Sequence, residues 1–143
     1  MIKSRKLEDL LPVVQEKACR LIEECDKRGI ELLVHATYRD NEYQDMLYAK
    51  GRATPGQIVT NAKGGETFHN YRCAFDIVPI DGRECVWDNK TLGNRILWET
   101  IGEIGEGCGL EWGGRWKSIV DMCHFHYSGG LSVDDLKEGK EIK

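Results

Sequence analysis

A chain of 143 residues has room for one domain built around one hydrophobic core. Hydrophobic residues at 41% and charged residues at 31% fit a globular protein, and a net charge of −4 argues against the basic surface that nucleic-acid binding depends on. No apolar run approaches the roughly 20 residues needed to cross a bilayer, so membrane insertion is not expected.

Pro12 suits the first turn of a helix, and Val14, Ala18, Leu21, Ile22 and Cys25 recur at helical spacing before Gly29 stops it. Ile30 to Ala36 is a short β-prone stretch and reads as a strand. Asp40 can cap a second helix that carries Tyr43, Met46 and Leu47 and ends at Gly51. Residues 52–66, rich in Gly, Thr and Asn, read as a long loop, and loops of that length in a compact domain tend to be functional. Cys73 to Ile80 is an apolar run that reads as a buried strand. Ile96, Leu97, Ile101 and Ile104 mark a third helix ending near Gly107 and Gly109. A Trp-rich segment and a last strand around His124 to Tyr127 follow. Ser132 with Asp135 resembles a capping box opening a short terminal helix. The pattern is α+β, a single domain over residues 1–143 with no repeat and no linker to a separate binding domain.

The six cysteines show no C-x-x-C pair and no zinc-finger spacing. Cys19, Cys73 and Cys108 fall inside apolar patterns and read as small, reduced core residues. The N-terminal MIKSRKLEDLLPVV starts basic but lacks an apolar run ending in a small-residue cleavage site, so no signal peptide is expected.

Asp76 interrupts an otherwise apolar strand, where a carboxylate is costly unless it is paired, hydrogen-bonded or bound to metal. His69 precedes it by seven residues at the end of the glycine-rich loop, and a polar cluster from Asp121 to His126 lies in the last strand region. Two histidines and a carboxylate from separate segments suit a three-ligand zinc site with a fourth position for water. Asp121, three residues before His124, can reach that water as a general base. Arg39, just past the first strand, can stabilise an oxyanion or hold a substrate carboxylate. On spacing alone two other readings stay open. Asp76 can be the partner in a buried ion pair, and His124 and His126, two apart on a strand, can join His69 as a three-histidine site.

The stretches TYRDNEYQDMLYAKGR, IVTNAKGGETFHNYRCAFDIV and DMCHFHYSGGLS resemble the superfamily of D-alanyl-D-alanine carboxypeptidases and L-alanyl-D-glutamate peptidases. These are zinc peptidases of the bacterial cell wall, bacteriophage endolysins included. The most specific element is H-x6-D followed by D-x2-H, and the resemblance runs from the first helix to about Gly139. It implies a short antiparallel sheet flanked by helices, as in DD-peptidases, with Zn2+ held by His69, Asp76 and His124. It also implies Asp121 as general base and Arg39 as the substrate-binding, oxyanion-stabilising arginine. Thr67 stands where relatives usually carry a serine lining the substrate site. Arg72 stands where they usually have glycine, Cys123 replaces a proline, and His126 replaces an acidic or amide residue.

The expected activity is hydrolysis of the L-alanyl-D-glutamate bond in peptidoglycan stem peptides, by a monomer. Alternatives are a D-alanyl-D-alanine carboxypeptidase and a binding module that has lost hydrolysis. Retention of both Asp121 and Arg39 weighs against the binding module. Beside the glycine-rich loop only Arg52, Lys63 and Arg72 are basic, too few to clamp a chain terminus, which favours the endopeptidase. The expected setting is a bacterial cytoplasm with release to the wall in phage or prophage lysis, or host wall turnover. His126 is expected as a second-layer residue or substrate wall, and His35 as a hydrogen-bonded structural residue. Trp112 and Trp116 are expected at the cleft or in the core, and Gln44, Tyr48 and Arg52 as braces for Arg39 and the loop.

Overall fold

In chain order the elements are α1 (Pro12–Lys27), β1 (Glu31–Ala36), α2 (Asn41–Ala49), β2 (Ala74–Asp81), β3 (Glu84–Cys85), α3 (Leu92–Gly107), β4 (Glu111–Trp112), β5 (His124–His126) and α4 (Val133–Lys137). The structure, a computed structural model, describes all 143 residues. The strands form one antiparallel sheet in the order β1-β2-β5-β4, with β3 paired to β2.

α1 and α3 cover one face of this sheet because their apolar stripes match it. Val14, Ala18, Leu21 and Cys25 of α1 are fully buried, and each large side chain taken out of water contributes about 1.5–3 kcal/mol. From the sheet, Phe75, Ile77, Trp112 and Phe125 join the same core. α3 approaches closely at Gly105, where an added Cβ would collide with the Phe125 ring. Strand alternation then sends the neighbours of these residues to the opposite face. Those neighbours are Asp76, Glu111, His124 and His126.

Cap chemistry bounds the elements as read. The Asp40 carboxylate accepts from the Tyr43 N–H at 2.8 Å, and Ser132 and Asp135 complete a reciprocal capping box on α4. α3 begins earlier than its apolar pattern, at Leu92, because Thr91 caps it by accepting from the Asn94 N–H at 3.1 Å. Ile96 is exposed on that helix, and Trp98 fills the core instead. Cys19 is also exposed, contrary to expectation. It follows Ala18, whose side chain occupies the buried stripe, and one residue further turns roughly 100° away. An N-terminal segment pairs as an extra edge: Ser4 donates to the Tyr38 carbonyl at 2.8 Å, and Lys3 stands opposite Arg39.

Candidate metal centre and cleft

Sheet register brings the polar face together. Asp76 on β2 pairs with His124 on β5, and His126 pairs with Glu111 on β4. On its other side Asp76 faces Ala36, where β1 carries a bulge between Val34 and Ala36. His69 arrives from the loop side on a short 3-10 turn, Phe68–Tyr71, whose first N–H groups are capped by Thr67. The Thr67 hydroxyl accepts from the His69 N–H at 3.4 Å.

His69, Asp76 and His124 are all buried, and one ligand atom from each lies within 4.8 Å of the others. His69 Nε2 stands 3.2 Å and His124 Nδ1 3.7 Å from the same oxygen, Asp76 Oδ1. Zinc–ligand bonds of about 2.0–2.1 Å in a tetrahedron put ligand atoms about 3.3–3.5 Å apart, so these separations suit a shared cation. The protonation pattern fits as well. His69 Nδ1 donates to the Thr37 carbonyl at 2.8 Å, which leaves Nε2 with its lone pair toward Asp76. Burial alone would push the Asp76 carboxyl up. In their charged forms the adjoining His69 and His124 outweigh that and hold it well below the usual carboxylate range. The set is the two-nitrogen, one-oxygen donor group that zinc accepts.

Asp121 stands on the rim of this cluster. A carboxylate oxygen of Asp121, one of Asp76 and Cys123 Sγ lie within 4.8 Å of one another. The Cys123 thiol donates to Asp121 Oδ1 at 3.2 Å; burial first, and then Asp76 and Asp121, push that thiol up so that it keeps its proton. The turn carrying Asp121 packs against Gly113, where an added Cβ would strike the Asp121 carbonyl and come within 3.1 Å of His124 Cβ. Gly113 is therefore required for close approach at this turn.

Arg39 reaches the cluster from the opposite side. Its guanidinium donates to Asp76 Oδ2 at 3.2 Å and, more weakly, to Gln44 Oε1 at 3.5 Å. Buried Gln44 in turn donates to the Ala62 carbonyl at 2.9 Å, and Arg52 donates to the carbonyls of Tyr48 and Thr60, so α2 braces both Arg39 and the loop.

His126 is set behind His124, outside the wall of the main cleft. Its Nδ1 meets His124 Nε2 at 2.9 Å and its Nε2 meets Glu111 Oε2 at 2.8 Å, while its ring stacks on Phe68. Burial, with smaller contributions from His124 and His69, pushes His126 down to about 3, so the ring is neutral at neutral pH. Its contact with Glu111 is therefore an N–H donated to a carboxylate.

The main cleft, about 1200 Å³, runs over the cluster. Ile58 and Val59 of the long loop line one part of it, and Trp116, Ile119 and Val120 another. Trp112, in contrast, is core, with its indole N–H donating to the Met122 carbonyl at 2.7 Å. The cleft's cations are Lys3, Arg39, Lys50 and Lys117. Arg72 and Lys63, expected nearby, are engaged elsewhere: Arg72 donates to the Asp9 carbonyl, and Lys63 lies over Tyr48. Lys3 is remote from the motifs in sequence and enters through the N-terminal pairing beside Arg39, whereas Lys117 stands four residues before Asp121 on the Gly113–Asp121 turn. His35 is a cleft residue packed edge-on to Trp87, with no side-chain hydrogen bond, and it stands at the bulge in β1.

Residues 60–127 match the family described as D-alanyl-D-alanine carboxypeptidase. The peptidoglycan L-alanyl-D-glutamate endopeptidase CwlK of Bacillus subtilis (strain 168) is 38% identical over 121 residues, covering 81% of this chain and 72% of that protein. The L-alanyl-D-glutamate peptidase of Listeria phage A118 is 26% identical over 129 residues; the match covers 85% of this chain but only 40% of the phage protein. Two solved structures share the fold. The Serratia marcescens L-Ala D-Glu endopeptidase ChiX has a TM-score of 0.56 at 19% identity, over 86% of this chain and 84% of that one. The vancomycin-resistance D,D-pentapeptidase VanY, in complex with Zn(II), has a TM-score of 0.60 at 14% identity, over 90% and 78%. Identity at the level of the Bacillus protein, over most of both chains, means that this chain belongs to the family of D-alanyl-D-alanine carboxypeptidases and L-alanyl-D-glutamate endopeptidases.

Proposed function

We propose that this protein is a zinc-dependent peptidoglycan endopeptidase that hydrolyses the L-alanyl-D-glutamate bond of stem peptides. The observation that carries this reading is the buried His69–Asp76–His124 donor cluster at the floor of an open cleft, with Asp121 on its rim and Arg39 beside it. The identity to the Bacillus endopeptidase favours this bond over the terminal D-alanine. A bacterial and a phage relative are consistent with either setting, wall turnover or lysis.

His69 Nε2, Asp76 Oδ1 and His124 Nδ1 would hold the ion. Zinc, when bound, supplies a Lewis acid that polarises a carbonyl and makes water a nucleophile near neutral pH. Asp121 accepts the proton of the attacking water as its oxygen bonds to the L-alanyl carbonyl carbon. The same carboxyl returns that proton to the departing nitrogen as the C–N bond breaks, which frees the amine of D-glutamate. Cys123 orients the Asp121 carboxylate through its S–H donor. Arg39 gives Nη2 to Asp76 and Nη1, more weakly, to Gln44, and the remaining N–H groups of these two nitrogens are available to a developing oxyanion or a stem carboxylate. The Thr67 hydroxyl accepts from the His69 N–H and keeps its own hydrogen for a stem carbonyl. Apolar side chains of the two loops grip the stem backbone and exclude water.

The test is a synthetic stem pentapeptide incubated with the zinc-loaded protein. Release of free L-alanine and a peptide beginning with D-glutamate, stopped by a chelator and restored by zinc, is expected. Release of D-alanine alone would identify a carboxypeptidase and overturn the endopeptidase reading.

A further inference from the structure

We propose that His126 and Glu111 form an outer hydrogen-bond relay that fixes the tautomer and orientation of His124, making both of them positioning residues of the metal centre. The proposal rests on the reading of His124 as a ligand through Nδ1.

Three successive contacts define the relay. His124 Nδ1 faces Asp76, His124 Nε2 meets His126 Nδ1 at 2.9 Å, and His126 Nε2 meets Glu111 Oε2 at 2.8 Å. A carboxylate only accepts, so His126 Nε2 must carry the hydrogen it shares with Glu111. Two ring nitrogens 2.9 Å apart share one hydrogen, and where it sits on His124 Nε2, His126 Nδ1 accepts it. His124 Nδ1 is thereby left with the lone pair that a cation requires. Reversing any one bond would point an N–H at the cluster.

The two histidines of the centre are anchored by different means. His69 gives its second nitrogen to a backbone carbonyl, Thr37, which every sequence carries. His124 gives its second nitrogen to side chains, so its tautomer depends on which residues stand at 126 and 111. The sheet builds this support directly, because His126 and Glu111 are register partners on β5 and β4. Phe68 stacks on the His126 ring at 4.1 Å and the residue is 4% exposed, which leaves the ring no room to turn away. Glu111, at 70% exposed, keeps most of its hydration and engages through one oxygen, so its share of the effect is the smaller.

Partners of this kind typically cost about 10–100-fold in metal affinity when removed. His126→Leu is expected at the upper part of that range, and Glu111→Ala near 10-fold or below. His126→Asn, which keeps an acceptor at the position of Nδ1, is expected to recover most of the loss. Two measurements decide the matter: zinc affinity by competition with a fluorescent chelator, and the His124 tautomer of the metal-free protein from 15N imidazole shifts. The wild type is expected to show the Nε2–H form of His124, and Glu111→Ala and His126→Leu a mixture. Unchanged affinity together with an unchanged tautomer in Glu111→Ala and His126→Leu would overturn the relay. Should His126→Leu fail to fold, Glu111→Ala at its exposed site still decides. The tautomer readout needs no metal. Loss of the zinc reading itself would show separately, as a wild-type affinity unaffected by His124→Ala.

Discussion

Replacing Arg39 with alanine separates two roles that the sequence motif merges. The guanidinium sits 3.2 Å from Asp76 Oδ2, with side-chain exposures of 17% and 8%. At that distance, and with an effective dielectric constant of about 20, unit charges attract by roughly 5 kcal/mol before desolvation is counted. Removing one partner of a buried pair costs about 3–5 kcal/mol. Partial exposure of Arg39 and the two histidines still facing Asp76 Oδ1 reduce this to about 2–3 kcal/mol in the metal-free chain. A domain of this size loses about 3 °C per kcal/mol, so Tm should fall by about 6–9 °C. The sign with pH follows from Asp76, whose carboxyl is held well below its ordinary value. Stability from a depressed carboxyl is present above about pH 4 and is lost as pH falls through the folded value, so the wild-type–variant gap should narrow in acid. Urea titrations of metal-free wild type and Arg39→Ala at pH 7 and in acid measure it, and zinc titration should show full stoichiometry with weakened affinity. Equal stability at pH 7, with only turnover affected, would refute the ion-pair reasoning and leave Arg39 to the substrate alone.

Asp121→Asn should keep zinc and fold while turnover on stem peptide falls by about 10²–10⁴-fold; loss of metal in that variant would make Asp121 a ligand. Ile119 is β-branched and holds a left-handed φ of 50°, so Ile119→Asn should stabilise the fold by about 0.5–1 kcal/mol in urea. The same change should raise KM by removing an apolar cleft wall, and an unchanged unfolding midpoint would show the loop to be unstrained. Burial pushes the Cys25 thiol up to about 11 and the Cys73 thiol to about 12. At pH 8 their thiolate fractions are about one in a thousand or less. An alkylating reagent followed by mass spectrometry should therefore mark exposed Cys19 well before either of them, and simultaneous labelling would contradict the packing.

Local chemistry made much of this molecule readable. Pro12 at a first helical turn and the caps Asp40 and Ser132 announce helix starts within a few residues, and the carboxylate of Asp76 stands out because nothing else polar shares the run from Cys73 to Ile80. What stayed hidden depends on contacts between distant segments. The two-residue strands β3 and β4 are too short for any periodicity, so the pairing of Glu111 with His126 has no signal in the chain. The bulge at His35 is a mismatch between two strands, not a property of one. Lys3 reaches the cleft only because the N-terminal segment pairs beside Arg39, and Cys19 shares the apolar run of α1 yet falls off its buried stripe. Arg72 is a partial exception. Its place in the motif, where glycine is usual, coincides with a left-handed φ of 60° at the end of the turn that carries His69.

The zinc site proposed for His69, Asp76 and His124 assigns one named atom to each residue. Anomalous diffraction at the zinc edge, from crystals of the zinc-loaded protein, tests it most directly. A single strong peak about 2.0–2.2 Å from His69 Nε2, Asp76 Oδ1 and His124 Nδ1 is expected. A peak bound by His126 or by Cys123, or no peak at the cluster, would contradict it.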